Sequence, residues 1–155
     1  MANCFIIAAD GARARMFLLE KVPSLQAGSR LVEKIDLVNT PYTARGEDAP
    51  MVRSERNTSR QAGPIHPQDA ERDRHRIEVE RRFAREIVAH AAAMVKAAGG
   101  GNLILVAEPR MLGLIRRPLR AAMSARSKVI NEVARNHTHL TLSRLHARLV
   151  ADDLI

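Results

Sequence analysis

Residues 99–120, GGGNLILVAEPRMLGLIRRPLR, decide how this chain folds. Gly99, Gly100 and Gly101 end one element, and an unbroken aliphatic run follows from Leu103 to Ala107. A run with no polar side reads as a strand covered on both faces. Glu108-Pro109 then turns the chain into a helix, with proline at the first helical position, where its missing N–H costs nothing. That helix is apolar at Leu112, Ile115 and Leu119 and basic at Arg110, Arg116, Arg117 and Arg120. Pro118 inside it removes a backbone hydrogen bond, so a kink or break is expected near Arg117.

Upstream, a long helix is expected from Gln68 or Asp69 to Ala98, closed by Gly99. Its apolar face reads Ile77, Ala84, Ile87, Ala91, Met94 or Val95, and Ala98, flanked by Phe83 and Val88. Its first turns are polar all round. The chain begins with three strands, at residues 3–9, 12–20 and 30–38. Asp10-Gly11 between the first two calls for a tight primed turn with positive φ at glycine. In the third, Leu31, Glu33, Ile35 and Leu37 alternate with Val32, Lys34 and Asp36, so one face meets water and the strand lies near an edge. Residues 39–68 carry no apolar period and make a long inserted loop. Downstream, residues 128–134 alternate as a fifth strand. Thr138 or Thr141 then caps a last helix with Leu142, Leu145, Leu149 and Leu154 on its apolar side.

The order β-β-β-α-β-α-β-α predicts one α/β domain over residues 1–155. An antiparallel meander followed by two crossover helices gives a mixed five-stranded sheet with helices on both faces, a ribonuclease H-like arrangement. Only 3% of the residues are aromatic, with no Trp, so the core is aliphatic and alanine-rich. Cys4, the single cysteine, sits in an apolar run as a core residue and leaves no partner for a disulfide. There is no secretory leader and no membrane-length apolar run, so a cytoplasmic location is expected.

The formal net charge of +8 points to a polyanionic partner: RNA, DNA, an anionic membrane or the ribosome. Between Pro109 and Asn131 there is no acidic residue, while Arg110, Arg116, Arg117, Arg120, Arg126 and Lys128 all fall there. The four helical arginines lie within about a third of the helix circumference, opposite the apolar stripe. Such a face tracks phosphates, and without aromatic side chains it does not read single-stranded bases. Arg13 and Arg15 on the second strand extend the set of candidate nucleic-acid contacts.

Hydrolytic chemistry has weaker candidates. If the first and fourth strands are parallel neighbours, Asp10 and Glu108 end at one sheet edge, where clustered carboxylates hold Mg²⁺ in two-metal nucleases. Each acid also has a local reason: a turn favours aspartate before glycine, and a helix N-terminus favours an acid. His137 and His139 alternate without a third ligand, and no serine stands in a nucleophile elbow. The glycine triplet precedes a strand, whereas a phosphate cradle follows one. No cofactor or metal is expected.

Three segments carry a family resemblance: residues 9–15 (ADGARAR), 82–87 (RFAREI) and 107–116 (AEPRMLGLIR). Together they resemble the bacterial host-attachment proteins, described as required for attachment to host cells, in order and spacing over nearly the whole chain. Those proteins usually show a Lys-Asp-Leu-Thr-like run after the last strand; here it is Arg135-Asn136-His137-Thr138, without the acid. The family is similar to the middle domain of archaeal and eukaryotic peptide-release factors, which is ribonuclease H-like. Those relatives carry Gly-Gly-Gln on the loop after the third strand, where glutamine places water at the peptidyl-tRNA ester. This chain has Arg60-Gln61-Ala62-Gly63 instead, with Gln61 the one nearby counterpart. The expectation is a cytoplasmic, non-enzymatic, RNA- or ribosome-associated regulatory protein with no membrane span, its homo-oligomeric state left open. The alternative is a hydrolase, acting on peptidyl-tRNA through Gln61 or as a metal nuclease through Asp10 and Glu108.

Overall fold

A computed structural model of the chain describes residues 3–23, 28–41 and 67–155. Eight elements follow in order: β1 (Cys4–Ala9), β2 (Arg13–Lys21), β3 (Ser29–Val38), α1 (Pro67–Ala97), β4 (Gly101–Ala107), α2 (Pro109–Ala122), β5 (Ser127–Ala134) and α3 (Leu142–Ala151). The strands form one sheet in the order β3-β2-β1-β4-β5. β2 runs antiparallel to both neighbours, and β1, β4 and β5 run parallel. The aliphatic runs of β1 and β4 occupy the centre, which is why neither has a polar face. One face of the sheet packs Phe5, Ile7, Leu103 and Leu105 under α1 and α2. The other packs Ile6, Phe17, Ile104 and Val106 under Leu145 and Leu149 of α3. Among the described residues, no helix is long and apolar enough to cross a membrane.

Both edge strands depart from simple alternation. Met16 pairs with Ile35 and Phe17 with Glu33, leaving Lys34 as an extra residue in β3. Leu31 therefore packs on the α3 side, while Ile35 and Leu37 pack on the α1–α2 side. The single face expected for Leu31, Ile35 and Leu37 is corrected by this bulge, since one added residue inverts the pleat. β5 does the same at Ile130, so Val129 and Val133 serve opposite faces.

The Asp10-Gly11 connection also differs from the tight primed turn. Ala9 pairs with Ala14, so residues 10–13 form the loop, and Asp10 N–H donates to Arg13 O at 2.9 Å. Asp10 Oδ1 accepts from the backbone N–H of Ala12 and Arg13, both at 2.8 Å. The side chain shapes the turn here, and Gly11 needs no positive φ. Asn39 completes it, donating from its backbone to Ala12 O and from Nδ2 to Gly11 O.

In α1 the buried stripe is Val79, Phe83, Ala84, Ile87, Ala91 and Val95. Ile77 is only half-buried and Ala98 is exposed, contrary to the expected face. Glu80 takes a core-side position instead. α2 is continuous through Pro118, so the break expected near Arg117 does not occur. Ile115 and Leu119 are fully buried on either side of the proline. Seating each contributes about 1.5–3 kcal/mol, which offsets a proline cost of ~3 kcal/mol. Thr141 caps α3, accepting from Arg144 N–H, whereas Leu142 stays exposed.

Gly113 lies in the middle of α2 on its exposed side, and a Cβ built there meets nothing within 4 Å. Gly113→Ala should raise the stability to chemical denaturation by about 0.5–1 kcal/mol, because glycine loses more backbone freedom on entering a helix. No change, or a loss, would mean that α2 requires glycine for a reason beyond helix formation.

Candidate nucleic-acid interface

The first and fourth strands are parallel neighbours, the condition under which Asp10 and Glu108 were expected at one sheet edge. Ala9 pairs with Ala107, and Glu108 N–H donates to Ala9 O at 3.1 Å. Both oxygens of Asp10 and Oε1 of Glu108 are nevertheless engaged in holding the fold. Glu108 is the N-cap of α2, with Oε1 accepting from Met111 N–H at 2.9 Å. Asp10 Oδ2 accepts from Asn136 Nδ2 at 3.0 Å and from Thr138 Oγ1 at 2.9 Å. Asn136 thus presents an amide donor to Asp10 where an acid would repel it. Among the described residues, no three His, Cys, Asp or Glu side chains converge on one point, His137 and His139 included. Gln61 lies outside the described residues. Burial pushes the Cys4 thiol up from its ordinary pKa, as a largely apolar setting requires.

Arg13 and Arg15 leave the second strand on the same side but meet different fates. Arg15 is 8% exposed. Its Nε donates to Glu33 Oε1 at 3.0 Å, and its Nη1 donates to the backbone oxygens of Thr138 and Leu140 at 3.1 and 2.6 Å. Its guanidinium also sits 5.1 Å from the centre of the Phe17 ring. The sequence reading placed Arg15 among the phosphate contacts. The geometry makes it an internal fastener between β2, β3 and the segment before α3.

Arg13 forms a two-point pair with Asp36, Nε to Oδ1 at 2.9 Å and Nη2 to Oδ2 at 2.7 Å, with both side chains facing water. The Arg13 hydrogen bonds hold the Asp36 carboxyl below its usual range. A lowered folded-state pKa adds stability above the unfolded value of about 3.9, and that stability is lost as the pH falls through the folded value. The stability gap between the native chain and Asp36→Asn should therefore be small, present at pH 7, and vanish in strong acid. Denaturant midpoints across that range would show it, and a gap that widens toward acid would refute it. The pair is solvent-exposed, so its net contribution is modest.

On α2, burial sorts the residues as the helical period demands. Met111, Ile115 and Leu119 are fully buried, while Arg110, Arg116, Arg117 and Arg120 are exposed. Tertiary packing adds two carboxylates to this face. Glu132 of β5 forms ion pairs with Arg116, Nε to Oε2 at 2.9 Å, and with Arg120, Nη2 to Oε1 at 2.5 Å. Glu80 of α1 faces Arg110 Nη2 at 3.3 Å and Arg76 Nε at 3.9 Å. Among the described residues, Arg117, Arg126 and Lys128 have no carboxylate partner.

The sequence reading missed both acids. Glu80 was detectable, because residues 80, 83, 84 and 87 share one helical face. Glu132 was not, since it lies just past the acid-free window and reaches the arginines only when α2 packs beside β5.

A mixed five-stranded α/β sheet, flanked by helices and bearing a cationic helix beside an edge strand, is the class that fold and surface define. The chain belongs to the family described as "Protein required for attachment to host cells", which matches residues 5–149. Membership points to an attachment-related role without assigning a reaction. None of the curated proteins matches the chain.

Proposed function

We propose that this family member acts in the cytoplasm by binding the phosphate backbone of structured RNA, on the ribosome in particular, rather than by catalysing a reaction. The surface is α2 with the start of β5: Arg110, Arg116, Arg117, Arg120, Arg126 and Lys128. The observation that carries the reading is the division of α2. Its apolar residues are sealed against the sheet, so it has no apolar face to insert into a bilayer, and what it offers outward is cationic. The three phenylalanines are buried, so among the described residues this face has no aromatic platform for stacking bases. Phosphate contact is then the recognisable mode.

The strand order, with β2 alone antiparallel, supports the ribonuclease H-like reading of the fold and the likeness to release-factor middle domains. No observation favours the hydrolase alternative. Asp10 and Glu108 are engaged with backbone and side-chain donors, and the Gln61 segment lies outside the described residues.

Co-sedimentation with polysomes at low and high salt is the test. The native chain should migrate with ribosomes at low salt and be released as salt rises. Arg116→Ala/Arg117→Ala/Arg120→Ala should weaken binding to a structured RNA by at least ~10-fold and flatten the salt dependence. A native chain that stays at the top of the gradient at every salt concentration would overturn the proposal.

A further inference from the structure

Two guanidinium groups one helical turn apart converge on a single carboxylate, and this arrangement indicates how the cationic face engages its ligand. Arg116 and Arg120 both reach Glu132, whose side chain is 14% exposed, while their own side chains remain 46% and 59% exposed. Arg116 comes nearest to Glu132 through its Nε, and its side chain keeps 46% exposure for an outer ligand. Arg120 comes nearest through a terminal nitrogen, and its side chain is 59% exposed. Each guanidinium thus touches the inner carboxylate while much of its side chain still faces water.

Resting on the RNA-binding reading, we propose that Arg116 and Arg120 form a clamp for one backbone phosphodiester and that Glu132 is its positioning residue. Arginine side chains carry about 2 kcal/mol of rotamer entropy, and a fixed fork loses less of it on each hydrogen bond formed. Glu132 removes that freedom before the ligand arrives. It comes from β5, a different element, so the orientation of both forks is set by the sheet rather than by the helix surface. Glu80 does not act in this way. It sits 3.3 Å from Arg110 and 3.9 Å from Arg76, farther than the 2.9 and 2.5 Å approaches at Glu132, and its two arginines belong to different helices.

The proposal predicts a sign opposite to simple charge counting. Glu132→Gln raises the formal net charge above +8 and should strengthen binding to any polyanion if charge alone governs. If Glu132 positions the clamp, that variant should weaken binding to an RNA duplex of about 20 base pairs by 3- to 10-fold at constant salt. Fluorescence anisotropy of the labelled duplex over a salt series reads this, with folding of each variant checked by circular dichroism. Arg116→Ala and Arg120→Ala should each cost nearly as much as the double variant. All three should lower the slope of log K against log salt by about one, because one phosphate is lost.

Tighter binding by Glu132→Gln would overturn the clamp while leaving RNA binding intact. Additive arginine effects with a slope change of about two would also overturn it, and that comparison stands even if Glu132→Gln does not fold. If the native chain ignores the duplex at low salt, or binds equally after both arginines are removed, it is the RNA-binding reading of this face that fails. Binding to phosphatidylserine vesicles without binding to RNA would also count against that reading.

Discussion

Gly101→Ala is expected to lower the stability of the chain by about 3 kcal/mol, roughly 10 °C in Tm, measured by thermal and denaturant unfolding. Gly101 opens β4 at φ +151°, and a Cβ built there lies 2.6 Å from Asn3 O and 3.1 Å from the carbonyl carbon of Asn3. Those atoms are backbone and cannot rotate away. Asn3 O also accepts the Asn102 N–H at 2.8 Å, so moving it disturbs the register between β1 and β4, the two central strands. Gly100→Ala should behave similarly, with φ +108° and a Cβ 2.7 Å from Arg126 O. Gly28→Ala is the matched control. It has φ +66° and open space around the new atom, so only the backbone cost of about 1 kcal/mol applies. Equal losses at Gly101 and Gly28 would show that the close approach to Asn3 does not matter.

Arg15→Met should cost about 3 kcal/mol, whereas Arg13→Met, on the same strand, should cost less than about 1. Both changes remove one guanidinium from an ion pair. Arg15 is buried, and its loss leaves the backbone oxygens of Thr138 and Leu140 without their donor and Glu33 without its charge partner. Deleting one side of a buried arrangement carries the desolvation cost of what remains. Arg13 and Asp36 return to water when separated. Hydrogen exchange should localise the Arg15→Met effect to residues 138–141 and the start of α3, because Arg15 ties that segment to β2. Equal costs for the two variants would show that the buried network adds nothing beyond an exposed pair.

Much of the architecture was legible because it follows from short-range rules. The unbroken aliphatic runs of β1 and β4 identify central strands, and the stop at the glycine triplet is a local backbone requirement. Glu108-Pro109 reads as a helix start, and the structure places Glu108 as the N-cap. The bulges at Lys34 and Ile130 were not legible. Alternation counts residues along one strand, whereas a bulge is decided by what the neighbouring strand offers opposite. The choice between a kink and a break at Pro118 was left open for a related reason: propensity counts the lost hydrogen bond but not the two buried side chains that hold the last turn in place.

The candidate surface divides along the same line. From residue types and helical period alone came the cationic face of α2 and the apolar side beneath it; Asp10 and Glu108 share a sheet edge only because β1 and β4 pair in parallel. Which cations are outward, and which are engaged inside, depended on contacts far apart in sequence: Arg15 with Glu33 and Thr138, Arg116 and Arg120 with Glu132, and Asp10 with Asn136. Side-chain chemistry and its periodicity are written in the chain itself. The partner that satisfies a charge is set only when the sheet closes and brings β5 beside α2, because burial and distance decide whether a carboxylate meets an arginine or water.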